Sequence, residues 1–393
     1  MVQQMVRQWC ERTLLPRIPA LEAGDEQPFP LMKQLVKAFG LDQMAAAGVR
    51  KRIARLREGG DAPREDLLGG GGEMDPMMGF VLVKELSRVS PGFAMGWGVS
   101  LGLAGGAIVG KGTADQLERW GLPVVTMDKI ASWCLTEPGA GSDAFGSMAT
   151  TARPDGDGYV LAGQKTFITN GPGADVFVVY AKIDRGGDAG VGTFIVERGM
   201  PGFTQGKPMK KMGMRDSPTC ALFFDDVRVP AANLLGGRER PAGRRDVKDS
   251  LGTERSGVPA MAWGIIEKCY EQTKKYVVDR RQFDRAIGEF QAVQLKIADM
   301  YVKLKNVENI VYRLAWMQKN KVDDMAFVNA SKAFCSTTAV DVALTAIQCH
   351  GGYGYMEEFH IEKLARDSKL LELGAGTTDI NLLAAARQEL GIS

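Results

Sequence analysis

Leu135-Thr136-Glu137-Pro138-Gly139-Ala140-Gly141-Ser142-Asp143 is the stretch on which the reading of this chain turns. It gathers hydroxyls, small residues and turn-formed backbone N–H groups into one loop. Such a loop can approach a flat ring system closely and hydrogen-bond its edge; as chemistry alone, it reads equally well as a surface turn. The chain differs on its two sides. Upstream, residues 1–125 read as helical. Leu31, Leu35, Phe39 and Met44 keep helical spacing, and Phe80, Val81, Val83 and Leu86 begin another amphipathic stretch. Downstream come short β-rich runs between turn residues: Tyr159-Val160-Leu161, Thr166-Phe167-Ile168-Thr169, Val176 to Tyr180, Thr193 to Val196 and Cys220 to Phe224. Strands this short and frequent predict a compact antiparallel barrel or sandwich over 126–236. Asn233 to Asp249 reads as a glycine- and arginine-rich linker. Helical stripes then return over 250–393, through Val258, Met261, Ile265 and Cys269, then Phe290, Val293, Ile297 and Tyr301, then Val340, Leu344 and Ile347. They predict an antiparallel bundle. The expected fold is α+β: an N-terminal helical domain, a central β domain and a C-terminal helical bundle.

Composition narrows the function classes. Lys and Arg number 49 against 47 acidic residues, and the basic stretches Arg50 to Arg57 and Arg238 to Lys248 are short and interrupted. No concentrated basic face is expected, so no nucleic-acid partner is. The six cysteines form no Cys-x-x-Cys pair, and His350 and His360 cannot form HExxH. Neither a metal site nor a disulfide framework is expected, and a reducing cytoplasm is the expected compartment. No signal peptide or membrane span is expected either. Gly98-Val99-Ser100-Leu101-Gly102 spells a nucleophile-elbow pattern, but it sits in a glycine-rich helical run without the preceding strand that chemistry needs. Gly69 to Gly72 follows a charged helix-like segment and reads as a flexible loop.

Extended as Cys134 to Gly146, the opening stretch resembles the first signature of the acyl-CoA dehydrogenase family. Gln348, Gly351, Gly352, Gly354, Tyr355, Glu358, Lys363 and Asp367 match the second, and Gly163 to Gly171, Lys211 to Arg215 and Asp279 to Phe283 are family-like segments between them. The resemblance runs from about residue 75 to the C-terminus. It implies FAD and the α,β-dehydrogenation of an acyl-CoA thioester to the 2-enoyl-CoA: a base takes the α-proton while the β-hydrogen leaves as hydride to the flavin. It also implies a homotetramer and an electron-transferring flavoprotein as acceptor. Leu135, Thr136, Gly141 and Ser142 would meet the isoalloxazine, with Ser142 also beside the substrate, and Phe167 and Thr169 would flank the ring and ribityl chain. Arg280, Gln282 and Phe283, with Gln348, Gly351 and Gly352 from a neighbouring subunit, would hold the pyrophosphate and adenosine. Thr377 and Asp379 would complete the cofactor site. The chain departs from the family at Phe167, where many members have Trp, at Asp284, usually glycine, and at Asp379, usually Gln or Glu.

The base is the informative departure. Most members carry the catalytic glutamate immediately before the Gly-Thr of Gly376-Thr377, where this chain has Ala375. Glu254, in Gly252-Thr253-Glu254-Arg255, stands where the isovaleryl-CoA and long-chain dehydrogenases carry theirs. A first-turn acid also complements a helix dipole, but the emptied and filled positions together imply that Glu254 is the base. Arg255 would orient it or its loop, or else form a purely structural salt bridge, and Gly374 and Ala375 would line the acyl pocket. These small residues, with Gly105 and Gly106, leave width for a branched, cyclic or bulky acyl group. Gly252 replaces an Asp that contacts CoA in some members, so CoA and an acyl carrier protein both stay open as carrier. Two alternatives on the same fold are a flavin-dependent oxidase or monooxygenase and a non-catalytic binding protein.

Overall fold

Residues 2–59, 75–185, 190–237, 239 and 244–392 are described by the computed structural model, with backbone alone over 244–254. Most of the glycine-rich stretch 58–73 lies outside them. The first region is helical because capping and proline chemistry starts helices where the apolar stripes begin. Asp75 and Ser90 accept hydrogen bonds from the Met77 and Phe93 N–H groups at 3.0 and 2.9 Å, and each precedes a proline at the first helical position of Pro76–Ser87 and Pro91–Gly98. The second helix runs on through the wider π-helical segment Val99–Gly105 into Gly106–Lys111. Pro91–Lys111 is apolar and long enough to cross a membrane by composition, but its apolar window is 72% buried, as in the core helix of a globular protein. Ser100 lies inside it, its hydroxyl accepting from the Ala131 N–H at 2.9 Å. That serine ties helix to sheet and is no nucleophile.

The β region comprises β1 (Ala131–Cys134), β2 (Thr151–Asp155), β3 (Gly158–Thr169), β4 (Val176–Ile183), β5 (Val191–Glu197), β6 (Phe203–Gln205) and β7 (Thr219–Pro230). They form one seven-stranded sheet in the order β1-β4-β2-β3-β7-β6, with β5 on β4. The expected β layer is therefore present, but it is not wholly antiparallel: β4 pairs in parallel with both β1 and β2. The whole β2–β3 hairpin lies between β1 and β4 in sequence, enough chain for the crossover a parallel pair requires. β4 is buried on both faces, which is why its sequence is a continuous apolar run.

Among the described residues five α-helices follow: Arg244–Asp279, Gln291–Lys319, Met325–His350, Ile361–Leu373 and Thr378–Leu390. The first begins inside the stretch read as linker, so Glu254 stands nearly three turns into it rather than at its start. Gly264 lets this helix cross Pro76–Ser87 closely, since a Cβ there would lie 2.2 Å from the Lys84 carbonyl oxygen. A buried ionic joint connects the three regions. Lys363 pairs with Asp367 at 2.5 Å, with Asp216 of the β region at 3.4 Å and with Glu22 of the N-terminal helix Ile18–Ala23 at 3.6 Å.

Candidate active site

The expected site residues fall into three groups, and among the described residues no hydrogen bond links one group to another. The first is the loop after β1. Glu137 and Ala140 exchange backbone hydrogen bonds across a tight turn at 3.0 and 3.1 Å, leaving Gly141 and Ser142 exposed beyond it. Leu135 is buried beneath. Two residues to which the sequence assigns no role of their own hold this loop. The Lys165 ammonium, fully buried on β3, donates to the Leu135 carbonyl at 3.0 Å and to the Glu137 carboxylate at 2.7 Å. Glu137 also accepts from the Ala149 and Thr150 N–H groups at 2.6 and 3.0 Å. Burial pushes its pKa up, but these donors outweigh burial and hold it below the usual carboxylate value. An acid and a lysine at the centres of two quoted motifs were the available signal.

β3 presents the aromatic wall through a bulge. Lys165 pairs with Leu222 and Ile168 with Cys220, so Thr166 and Phe167 together oppose one residue of β7. Phe167 takes a left-handed φ of 57° and is 67% exposed. The Thr166 N–H, released from the ladder, donates to the Thr136 carbonyl at 2.9 Å. Thr169 is half-buried, and its carbonyl accepts from the Ser132 hydroxyl at 2.9 Å. The bulge thus turns an aromatic face outward and fastens the loop beside it.

The second group is the loop Gly374–Thr377 with the helix turn carrying Glu254 and Arg255. The Glu254 side chain lies outside the described residues; its backbone is helical. Arg255 donates from Nε to the Ala375 carbonyl at 3.2 Å and from a terminal nitrogen to the Asn329 amide oxygen at 2.9 Å. Pro259 has no N–H, so the helix offers the Arg255 carbonyl no partner four residues on. Ala375 has φ 56° and Gly376 φ 83°. Among the described residues, the N–H groups of Ala375, Gly376 and Thr377 make no hydrogen bond. Thr377 caps Thr378–Leu390 by accepting from the Ile380 N–H at 3.3 Å, and Asp379 is exposed in that helix's first turn.

The third group lines a cleft of about 520 Å³. Arg280, Gln282, Gln348, Gly351 and Gly352 all face it from the same chain, whereas the sequence reading drew the last three from a neighbouring subunit. Gly351 and Gly352 have open space where a Cβ would stand. Arg280 lies 5.7 Å over the Tyr353 ring. One cation, two amides and two bare glycines in a cleft this size fit a pyrophosphate and its nucleoside. Phe283 stands outside the cleft lining, 87% exposed at the tip of a hairpin formed by β8 (Arg281–Gln282) and β9 (Arg285–Ala286).

Family models of acyl-CoA dehydrogenases match in chain order: the N-terminal domain over residues 62–128, the middle domain over 132–227 and the C-terminal domain over 242–390. The chain is 37% identical to mitochondrial isovaleryl-CoA dehydrogenase of Arabidopsis thaliana over 309 residues, 78% of this chain and 75% of that protein. It is 33% identical to a short-chain-specific acyl-CoA dehydrogenase of Clostridium acetobutylicum over 386 residues, 98% of this chain and 95% of that one. Its fold matches butyryl-CoA dehydrogenase from Megasphaera elsdenii with a TM-score of 0.85 at 31% identity, covering 99% of this chain and 97% of that one. With three matched domains and a relative 33% identical over 98% of its length, the chain belongs to the acyl-CoA dehydrogenase family of FAD-dependent oxidoreductases.

Proposed function

We propose that Glu254 is the base that removes the α-proton in this acyl-CoA dehydrogenation, and that the acyl group is branched, cyclic or bulky. The observation that carries the reading is the hydrogen bond from Arg255, the residue next to Glu254, to the Ala375 carbonyl at 3.2 Å. It brings the helix turn holding the candidate base to the loop where most members hold theirs. The helix-dipole explanation of Glu254 loses its basis, because the helix starts at Arg244 and the dipole's influence falls off within the first turn.

Each group then has a task. The Ala375 N–H, free among the described residues, donates to the thioester carbonyl and stabilises the charge that develops as the α-proton leaves. Arg255 orients the turn and loop together. Leu135, Thr136, Gly141 and Ser142 would receive the isoalloxazine ring, Phe167 and Thr169 would flank the ring and ribityl chain, and Thr377 and Asp379 would complete the site. FAD, when bound, takes the β-hydrogen with its bonding electrons. Gly374 and Ala375 leave width beside the acyl chain, and Gly106 has open space where a side chain would stand. The cleft at Arg280 and Gln348 serves the nucleotide of a neighbouring subunit in a homotetramer. Exposed Leu295, Val302, Trp316, Phe334 and Leu344 on two bundle helices supply apolar surface for that assembly. An electron-transferring flavoprotein reoxidises the flavin, and the compartment is the cytoplasm.

The test is anaerobic flavin bleaching by straight, branched and ring-bearing acyl-CoAs, wild type beside Glu254→Gln. Wild-type bleaching should be fastest with a branched or ring-bearing chain. The variant should be slower by roughly 10²–10⁴-fold, the usual contribution of a positioned base. Equal bleaching in both would remove Glu254 from the role, and rapid oxygen consumption with substrate would favour the oxidase class.

A further inference from the structure

The loop Gly374–Thr377 treats its two kinds of backbone group oppositely. Its N–H groups from Ala375 to Thr377 are free among the described residues, while the carbonyls of these three residues accept from side chains, that of Thr377 also from the Asn381 N–H at 3.0 Å. The Ala375 carbonyl accepts from Arg255 at 3.2 Å and Asn381 at 3.4 Å. The Gly376 carbonyl accepts from the Lys332 ammonium at 2.5 Å and Asn381 at 2.8 Å, and Asn381 also reaches the Thr377 carbonyl at 2.9 Å. Lys332 is on Met325–His350 and is 0% exposed, as is Asn381 on Thr378–Leu390.

Burying an ammonium is costly, and a neutral donor would hold a carbonyl well enough to satisfy it. A cation adds two things. Its hydrogen bond is stronger than a neutral one, and it fixes the left-handed pair at Ala375 and Gly376 against the cost of that conformation. It also polarises the peptide unit it touches. The Gly376 carbonyl shares its peptide with the Thr377 N–H, so charge at the buried oxygen strengthens donation at the free hydrogen. Donors from three helices thus draw the loop's oxygens inward and leave its N–H groups outward.

We propose that Lys332 is a positioning residue for the dehydrogenation: its buried ammonium holds the loop so that the amide groups of Ala375 to Thr377 stay presented to the thioester carbonyl. This rests on the reading of the loop as the thioester site. Among the described residues, Lys332 reaches this loop through the Gly376 carbonyl.

The test uses the FAD-loaded enzyme and Lys332→Met. Oxidised holoenzyme is titrated with a 2-enoyl-CoA of the preferred chain while flavin absorption is followed, and bleaching by saturating acyl-CoA is timed. FAD affinity should stay at the wild-type value. Enoyl-CoA binding should weaken about tenfold and bleaching should slow by about 10²-fold, the effect of misplacing one oxyanion donor or shifting a reacting group by an ångström. Wild-type enoyl-CoA binding, absorption change and bleaching in the variant, with only a lower Tm, would make Lys332 structural and overturn the inference. If that variant does not fold, Asn381→Ala removes another donor from the same carbonyl. It should slow bleaching by about tenfold, and an unchanged rate overturns the inference equally. A wild type that no thioester bleaches would bring down the underlying reading as well; bleaching unaltered by either substitution would bring down this one alone.

Discussion

Phe167 and Asp284 both occupy backbone space that side chains ordinarily avoid, with φ 57° and 61°. At Phe167 the strain does something: the bulge that causes it faces the ring outward beside the loop at Thr136. Asp284 has no such return. It follows Phe283 in a two-residue hairpin loop joining Gln282 and Arg285, and both loop residues have positive φ, the primed turn that favours glycine at its second position. Asp284 is exposed, so its side chain stabilises no buried neighbour. Asp284→Gly should therefore raise stability by about 0.5–1 kcal/mol, the left-handed cost relieved less the extra freedom of an unfolded glycine. Thermal denaturation reads it, and an unchanged or lower Tm would show that the aspartate carries a contact of its own. The departure from the family at this position was legible in sequence. The strain was not, because φ is a property of the folded turn.

Among the elements, helix and strand periods made the three regions readable, since each period follows from the geometry of one segment. Pairing between segments leaves no such trace. The parallel neighbours of β4 and the start of the helix at Arg244 were missed for that reason, and because a glycine- and arginine-rich approach hides a helix start. The same limit applied to the site. The signature motifs are local and supply the expected contacts, and Arg255 was among them, whereas its meeting with Lys332 and Asn381 at one loop from three separate helices leaves no local trace. Glu137 and Lys165 show the consequence for stability. The Glu137 pKa is held below its ordinary 4.5, its donors outweighing the effect of burial. A folded pKa below the unfolded one means stability that is fully present above about pH 4.5 and is lost as pH falls through the depressed folded value. The loop after β1 should loosen there and release flavin, seen as a rise in free-flavin fluorescence alongside a falling Tm. Glu137→Gln should lose about 3–5 kcal/mol at neutral pH by leaving Lys165 buried without its anion, and its Tm should lack the acid step. An acid profile identical in the variant would assign that step elsewhere.

At the scale of the whole molecule, cooperation among the three regions depends on the joint around Lys363. Glu22, Asp216 and Asp367 come from the N-terminal helices, the β region and the bundle, and the lysine is the cation they share. Arg366 supports the edge, reaching Glu22 at 2.9 Å and Glu362 at 2.6 Å. Burial works against the Lys363 charge, but the three carboxylates outweigh it and hold its proton more firmly than usual. Asp367 is pushed up to about 6, by burial first, with Lys363 pulling it down and Asp216 pushing it up. Lys363→Met would remove the cation and leave Asp216 and Asp367 facing one another, with side chains fully buried. The expected loss is about 3–5 kcal/mol in chemical denaturation. The regions should also separate into more than one transition, since the shared ion no longer makes them unfold together. Adding Asp367→Asn should recover part of the loss, because it removes one uncompensated charge. The pH dependence has a defined sign. A carboxyl whose folded pKa lies above its unfolded 3.8 favours folding in its protonated form, so that contribution is present at low pH and lost as pH rises through the folded value. Without Lys363 to pull it down, Asp367 should titrate higher still, so the variant should lie closer to wild type at pH 5 than at pH 8. An equal loss at both values, in a single sharp transition, would mean that the joint is held by packing and that its charges are incidental.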